Sequence, residues 1–273
     1  MPAVTSWRLR FEGFEPADEG RREALCTLGN GYFATRAAAP ESHADGVHYP
    51  GTYIAGCYNR LRSEVSGELL ENESLVNGPN WLALTFAIDD GEWLDLGKVD
   101  VLDHHLELDL RRGVFTRQTQ VRDASGRTTR ITQRRFVHME LPHVAALEST
   151  VVAEDWSGRL RIRSALDGRV ENTGVPRYRG LPSLHLVSET SQDLGDGLVL
   201  LVTETSQSRI RIAEAARTRI RAGSDVFQPS RTLREGDDWI AQEAVVDIAA
   251  GDMVTVEKTV TVFTSHDTAI SEP

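Results

Sequence analysis

Val254-Thr255-Val256-Glu257-Lys258-Thr259-Val260-Thr261-Val262 alternates apolar and polar side chains almost throughout. Successive Cβ atoms of an extended chain point to opposite faces, so this period of two predicts a strand with one face in a core and one in water. Lys258 is the one break in the pattern. A less pure form of the alternation recurs in Gly113 to Arg122, Arg127 to Met139, His143 to Glu154, Arg159 to Ser164, Leu198 to Thr205 and Arg209 to Ile220. Turn-forming sequences stand among them: Asp90-Gly91, Ser125-Gly126, Asp167-Gly168, Gly195-Asp196-Gly197, Glu235-Gly236 and Gly251-Asp252. Short reversals between strands, with no regular alternation of strand and long helix, predict an all-β antiparallel sandwich or barrel and exclude a doubly wound parallel sheet. The exception is one short helix expected over Glu19 to Leu28, with Asp18 as N-cap and Gly29 as stop.

The 273 residues carry 40% hydrophobic and 26% charged side chains, which fits one large soluble-type domain. Thirty Lys and Arg against 41 Asp and Glu give a formal charge of −11, so nucleic acid and anionic membranes are poor partners. No apolar run approaches the roughly 20 residues that span a bilayer. The opening Met1-Pro2-Ala3-Val4-Thr5-Ser6-Trp7-Arg8 lacks the basic start and apolar stretch of a secretory signal, and a cytoplasmic location is expected. Cys26 and Cys57 are too few for a disulfide framework or a four-thiolate zinc site, and are expected to be buried thiols.

The segment Gly29 to Trp81 reads as the least regular part of the chain, and it holds four of the five tyrosines: Tyr32, Tyr49, Tyr53 and Tyr58. Aromatic faces pack on pyranose C–H bonds while neighbouring amides, here Asn30, Asn59, Asn72, Asn77 and Asn80, bind hydroxyls. The alternative is that these rings pack the segment onto its own sandwich. Glycosidic cleavage needs two carboxylates at a set separation, or one acid and an external nucleophile. No such pair stands out, and Glu68, Glu71 and Glu73 read as a solvated face. Asp103, His104 and His105 are neighbours on a strand, so they point to opposite faces and do not share one metal ion. Arg130, Arg134 and Arg135 lie on one strand and are expected to pair with surface carboxylates.

The run Arg22-Glu23-Ala24-Leu25-Cys26-Thr27-Leu28-Gly29-Asn30-Gly31-Tyr32-Phe33-Ala34-Thr35-Arg36 resembles the opening signature of the family 65 glycoside phosphorylases and hydrolases. Tyr49-Pro50-Gly51-Thr52-Tyr53-Ile54-Ala55-Gly56-Cys57-Tyr58-Asn59 and Leu75-Val76-Asn77-Gly78-Pro79-Asn80-Trp81-Leu82 are similar to the same family's next motifs, in order. The similarity continues through Leu108 to Gly113, Arg135-Phe136-Val137, Trp156-Ser157-Gly158, Ser164 to Gly168 and Asn172. It departs at Ala37-Ala38-Ala39-Pro40, where the family commonly continues with glycine. The resemblance implies a large, galactose mutarotase-like super-sandwich over residues 1–264, with 265–273 starting a linker to an (α/α)6 catalytic barrel.

The resemblance further implies a domain of an inverting enzyme acting on α-linked glucose disaccharides such as maltose, trehalose or kojibiose. In such an enzyme a barrel glutamate protonates the glycosidic oxygen, and phosphate or water attacks the anomeric carbon. No catalytic residue, cofactor or metal ligand maps onto this chain, which is expected to be inactive alone; inorganic phosphate is the parent enzyme's co-substrate if it is a phosphorylase. The expected partners are its own barrel, the disaccharide and a second copy in a homo-oligomer. Asn30, Tyr32, Tyr49 and Tyr53 are the candidates for the active-site rim. Two other readings compete: an autonomous carbohydrate-binding module, and a purely structural dimerisation domain.

Overall fold

The computed structural model describes residues 3–5, 7–65, 67–173, 181–223, 225–227 and 229–267. Its strands are β1 (Ala3–Thr5), β2 (Arg8–Glu12), β3 (Leu28–Gly29), β4 (Phe33–Thr35), β5 (Thr52–Val65), β6 (Glu68–Gly78), β7 (Leu84–Ile88), β8 (Asp100–Asp109), β9 (Val114–Arg122) and β10 (Thr128–Val137). They continue as β11 (Val144–Ala153), β12 (Gly158–Asp167), β13 (Leu186–Gly195), β14 (Leu198–Thr205), β15 (Arg211–Ala222), β16 (Asp225–Phe227), β17 (Arg231–Gly236), β18 (Trp239–Ile248) and β19 (Met253–Thr264). The helix α1 spans Glu19–Leu25. Eleven strands form one antiparallel sheet in the order β1-β2-β8-β9-β10-β11-β19-β15-β14-β13, with β16 paired to β15. Two sheets of four, β17-β18-β12-β7 and β3-β4-β5-β6, complete the fold. The all-β sandwich expected from the alternation is the fold observed.

In β19, Val254, Val256, Val260 and Val262 face the core, and so does Lys258, which is 1% exposed. The lysine therefore keeps the period of two. On the same inner face, cross-strand register places Arg117 opposite Gln133 and Gln133 opposite Ser149. Their side chains form a hydrogen-bonded row, Arg117 to Gln133 Oε1 at 3.1 Å and Gln133 to Ser149 Oγ at 3.4 Å. A buried polar row of this kind is tolerated because each member finds a partner across the strands. Around it, Phe115, Ile131, Leu147, Leu160, Leu166, Leu201 and Ile240 belong to one continuous apolar core.

Several local expectations are corrected. The helix ends at Leu25, because Cys26 N–H and Thr27 N–H bond back to Arg22 and Ala24 carbonyls and Thr27 Oγ1 takes the Ala24 carbonyl again at 2.8 Å. Asp18 makes no capping bond; its carboxylate is held by Arg21 and Arg22 instead. Much of Gly29 to Trp81 is not irregular, since β5 and β6 form a long hairpin whose register shifts between Tyr53 and Tyr58, with Gly56 at φ +80° supplying the bulge.

Arg130 and Arg134 pair with Glu154 and Glu148 as expected, but Arg135 turns inward, is 2% exposed and stacks 4.7 Å from the Phe115 ring centroid. The alternation of the strand puts it there: Ile131, Gln133, Arg135 and Val137 share the inner face. His104 is buried against Thr119, while His105, on the other face, pairs with Glu12 and Asp103. Cys26 and Cys57 are free and buried. Of the expected linker, residues 268–273 lie outside the described residues.

Candidate functional site

Glu23, on α1, organises the segment between β4 and β5. It is 2% exposed, accepts from His48 Nδ1 at 2.8 Å and from the Tyr49 N–H at 3.0 Å, and lies 3.6 Å from the Arg36 guanidinium. The hydrogen bond to Glu23 raises the His48 pKa against the effect of burial. Arg36 donates to the Tyr49 and Gly20 carbonyls and stacks 5.3 Å from the Tyr49 ring centroid. Ala37 and Ala38 are buried; Ala37 N–H donates to the Glu23 carbonyl, and the Ala38 carbonyl accepts from Arg135.

Tyr53 donates to the Tyr49 hydroxyl at 2.9 Å, which donates in turn to the Glu171 carbonyl at 3.2 Å. Burial and the neighbouring phenol push the Tyr53 pKa well up, so the Tyr53 hydroxyl stays a donor. The side-chain amide of Asn77 ties the same place together, accepting from Thr52 N–H and donating to the Pro50 and Glu171 carbonyls. Asn172 completes it by accepting from Asn77 N–H at 2.9 Å and donating to the Leu75 carbonyl at 2.8 Å. Residues 49–53, 75–77 and 171–172 thus meet in one network.

Asn30 and Tyr32 stand apart from that network. Asn30 Oδ1 accepts from the Tyr32 and Phe33 N–H groups, and its Nδ2 donates to the His138 and Pro142 carbonyls. Its amide is fully used in holding the turn before β4 against the β10–β11 turn. Tyr32 packs edge-on against His143 with ring centroids 4.3 Å apart and donates to Asp267 Oδ2 at 2.6 Å. The structure therefore brings Tyr49 and Tyr53 together and separates them in role from Asn30 and Tyr32. Asn59, also singled out by composition, is buried and caps the turn at Gln207 and Ser208.

Beside the Glu23 network, on the outer face of the β17-β18-β12-β7 sheet, lies a cavity of about 470 Å³ between the 39–48 and 92–98 segments. A second, of about 200 Å³, continues toward Asn77 and Asn80. Glu41, Ser42, His43, Thr85 and Arg163 line both. Burial alone would raise the Glu41 carboxyl, but the Arg117 guanidinium, gripping it with two nitrogens, holds it below the ordinary value. Sequence reading missed Trp93 and Trp239, which line this face. Each is a single ring beside a turn, and only the pairing of β12 with β7 and β18 brings them to one surface.

The family model for glycosyl hydrolase family 65, N-terminal domain, matches residues 9–273. The chain belongs to this family. It is 47% identical over 264 residues to an uncharacterized glycosyl hydrolase of Mycobacterium tuberculosis, covering 96% of this chain and 20% of that protein. It is 30% identical over 263 residues to the trehalose 6-phosphate phosphorylase of Lactococcus lactis, covering 96% of this chain and 32% of that protein. The solved structure of a putative kojibiose phosphorylase from human microbiome shares the fold, with a TM-score of 0.82 at 19% identity over 97% of this chain and 33% of that one. The family 65 N-terminal domain thus spans between a fifth and a third of these relatives. Among the described residues no helix is long and apolar enough to cross a membrane.

Proposed function

We propose that the chain is the non-catalytic N-terminal part of an inverting α-glucoside phosphorylase or hydrolase, giving scaffold, oligomer contacts and part of the active-site rim. The observation that carries this reading is the Arg36–Gly51 segment, which leads into Tyr53 on β5. It leaves the sheet without regular structure, yet buried Glu23 and Asn77 and half-buried Arg36 hold it in one conformation. A rim must be preorganised in this way, because a loosely held loop costs ordering entropy at each binding event. Tyr49 and Tyr53 are the rim residues in this reading; Asn30 holds the β10–β11 turn, and Tyr32 holds Asp267 just beyond β19. The acid and the phosphate or water nucleophile belong to the catalytic part, with no cofactor drawn from this chain, in a cytoplasmic homo-oligomer.

The test is to incubate the chain with maltose, trehalose, kojibiose and nigerose, with and without phosphate, and to assay glucose and β-glucose 1-phosphate. No product is expected. Turnover by the isolated chain would overturn the reading.

A further inference from the structure

We propose that the groove on the outer face of the β17-β18-β12-β7 sheet, between Trp93 and Trp239, is a binding site for a neutral di- or oligosaccharide. This goes beyond the rim assignment and does not depend on it. The ligand class follows from charge and from the mixture of surfaces. Every lysine and arginine lining the two cavities already has a carboxylate: Arg163 has Glu243 at 2.5 Å, Arg169 has Asp167 at 2.7 Å and Lys98 has Asp95 at 3.2 Å. Glu92 and Asp45 add further negative charge to the lining. An anion entering the groove therefore finds no uncommitted arginine or lysine and meets carboxylates, whereas a neutral polyhydroxylated ligand finds both donors and acceptors.

The aromatic contribution is fixed in place. Arg163 sits 4.0 Å and Arg161 4.9 Å from the Trp93 ring centroid, and Arg169 sits 5.3 Å from that of Trp239. These stacked guanidiniums, themselves anchored by carboxylates or by the Gly91 carbonyl, hold both indoles over the sheet. Indoles held rigidly next to amide and hydroxyl groups are the surface that a pyranose ring recognises, apolar on one side and hydrogen-bonding at its edge.

A second observation points to a missing partner. The Thr85 hydroxyl is buried and bonds to nothing among the described residues, although Thr85 lines both cavities. Threonine has three staggered rotamers, and a turn of about 120° about χ1 moves its oxygen to another position around Cβ. Buried hydroxyls are rarely left unpaired, and once turned toward the groove this one would find its partner in a sugar hydroxyl.

The test is calorimetric titration of the chain with maltose and kojibiose, at low and high sodium chloride, with glucose and glucose 6-phosphate as the neutral and anionic pair. Saturable heat from a disaccharide, unchanged by salt, is expected, with glucose 6-phosphate binding no tighter than glucose. Trp93→Ala should raise Kd about tenfold. Thr85→Val keeps shape and removes an unpaired hydroxyl, so a merely structural threonine leaves both Tm and binding unchanged or raises Tm alone. A sugar-contacting threonine weakens binding in a variant as stable as the parent. Absence of heat with both disaccharides, binding that neither variant weakens, or tighter and salt-sensitive binding of glucose 6-phosphate would each overturn the proposal. None of these results alters the turnover assay, so the rim reading stands or fails separately.

Discussion

The ammonium of Lys258 donates to the carbonyl oxygen of Ala165 at 2.5 Å, so a side chain of the large sheet crosses the core to the backbone of the facing sheet. The Ala83 carbonyl accepts from the same nitrogen at 3.1 Å. Both carbonyls lie where β7 and β12 meet, and Ala165 N–H also donates to Ala83 O there. Burial pushes the Lys258 pKa down to about 7, with Glu214 the opposing influence. Between that value and 10.5 the unfolded chain binds a proton at Lys258 that the folded chain does not, so its contribution to stability rises with pH.

Lys258→Met should therefore flatten the pH dependence of stability. The variant loses two hydrogen bonds, leaving buried carbonyls short of a donor at a cost of about 1–3 kcal/mol. It also loses the term that strengthens the parent by about 1.4 kcal/mol per pH unit above the folded pKa. Urea unfolding at pH 7 and pH 9.5 should show the larger deficit at pH 9.5. An equal deficit at both would mean that the amine titrates normally.

Glu214→Gln should move the other way. Both Glu214 carboxylate oxygens are buried without a hydrogen-bond partner among the described residues, and burial raises its pKa well above 4.5. Above pH 4.5 the unfolded chain releases this proton while the folded chain keeps it, so stability falls as pH rises toward the folded pKa. Glutamine resembles the protonated acid and has no proton to lose. The variant should match the parent near pH 4.5 and gain on it with rising pH, by about 1.4 kcal/mol per unit until the folded pKa is reached. Thermal melts across that range measure the divergence.

The Glu41–Arg117 pair should be costly to break from either side. The two side chains are each 4% exposed. Removing one leaves a buried charge uncompensated, at a cost of about 3–5 kcal/mol, whereas a surface pair such as Arg62–Glu71 is worth less than about 1 kcal/mol. Glu41→Gln and Arg117→Met should each lower the urea midpoint strongly, and Glu71→Gln should barely shift it. Because the Glu41 pKa is depressed, the parent's advantage over Glu41→Gln is present above pH 4.5 and shrinks as the pH falls through the folded pKa.

The large sheet was legible because its strands have one dry face. In β11 and β19 every second residue meets the core, and the sequence alternates accordingly. The β5–β6 hairpin was not legible for the complementary reason. Arg60, Arg62, Glu71 and Glu73 pair along an exposed ladder, Leu69 and Leu70 are exposed as well, and the buried positions of β5 include the polar Asn59 and Ser63, so its buried face leaves no apolar period in the sequence. Lys258 was misread as a break because a lysine rarely faces a core; only the crossing carbonyls explain it. At the candidate site, motif similarity pointed to Tyr49 and Tyr53, which share the Glu23 and Asn77 networks, and equally to Asn30 and Tyr32, which do not. Trp93 and Trp239, 146 residues apart in number, carry no local signal and become neighbours of one groove only through the register of β7, β12 and β18.

Gly20→Ala sets helix propensity against packing. Gly20 is the second residue of α1, and in a free helix alanine is favoured over glycine by about 1 kcal/mol. Here a Cβ at position 20 would stand 2.3 Å from the carbonyl oxygen of Val47, which is backbone and cannot rotate away. The helix or the 39–48 segment must shift, and the Gly20 carbonyl is also a ligand of Arg36. Overpacking of this kind costs about 1–3 kcal/mol, more than the propensity gain. The variant should melt below the parent, and exchange of the amides at Val47, His48 and Tyr49 should quicken more than that of the β10–β11 core. A raised melting temperature would show that the segment yields freely, and the rigidity assigned to the Tyr49–Tyr53 rim would go with it.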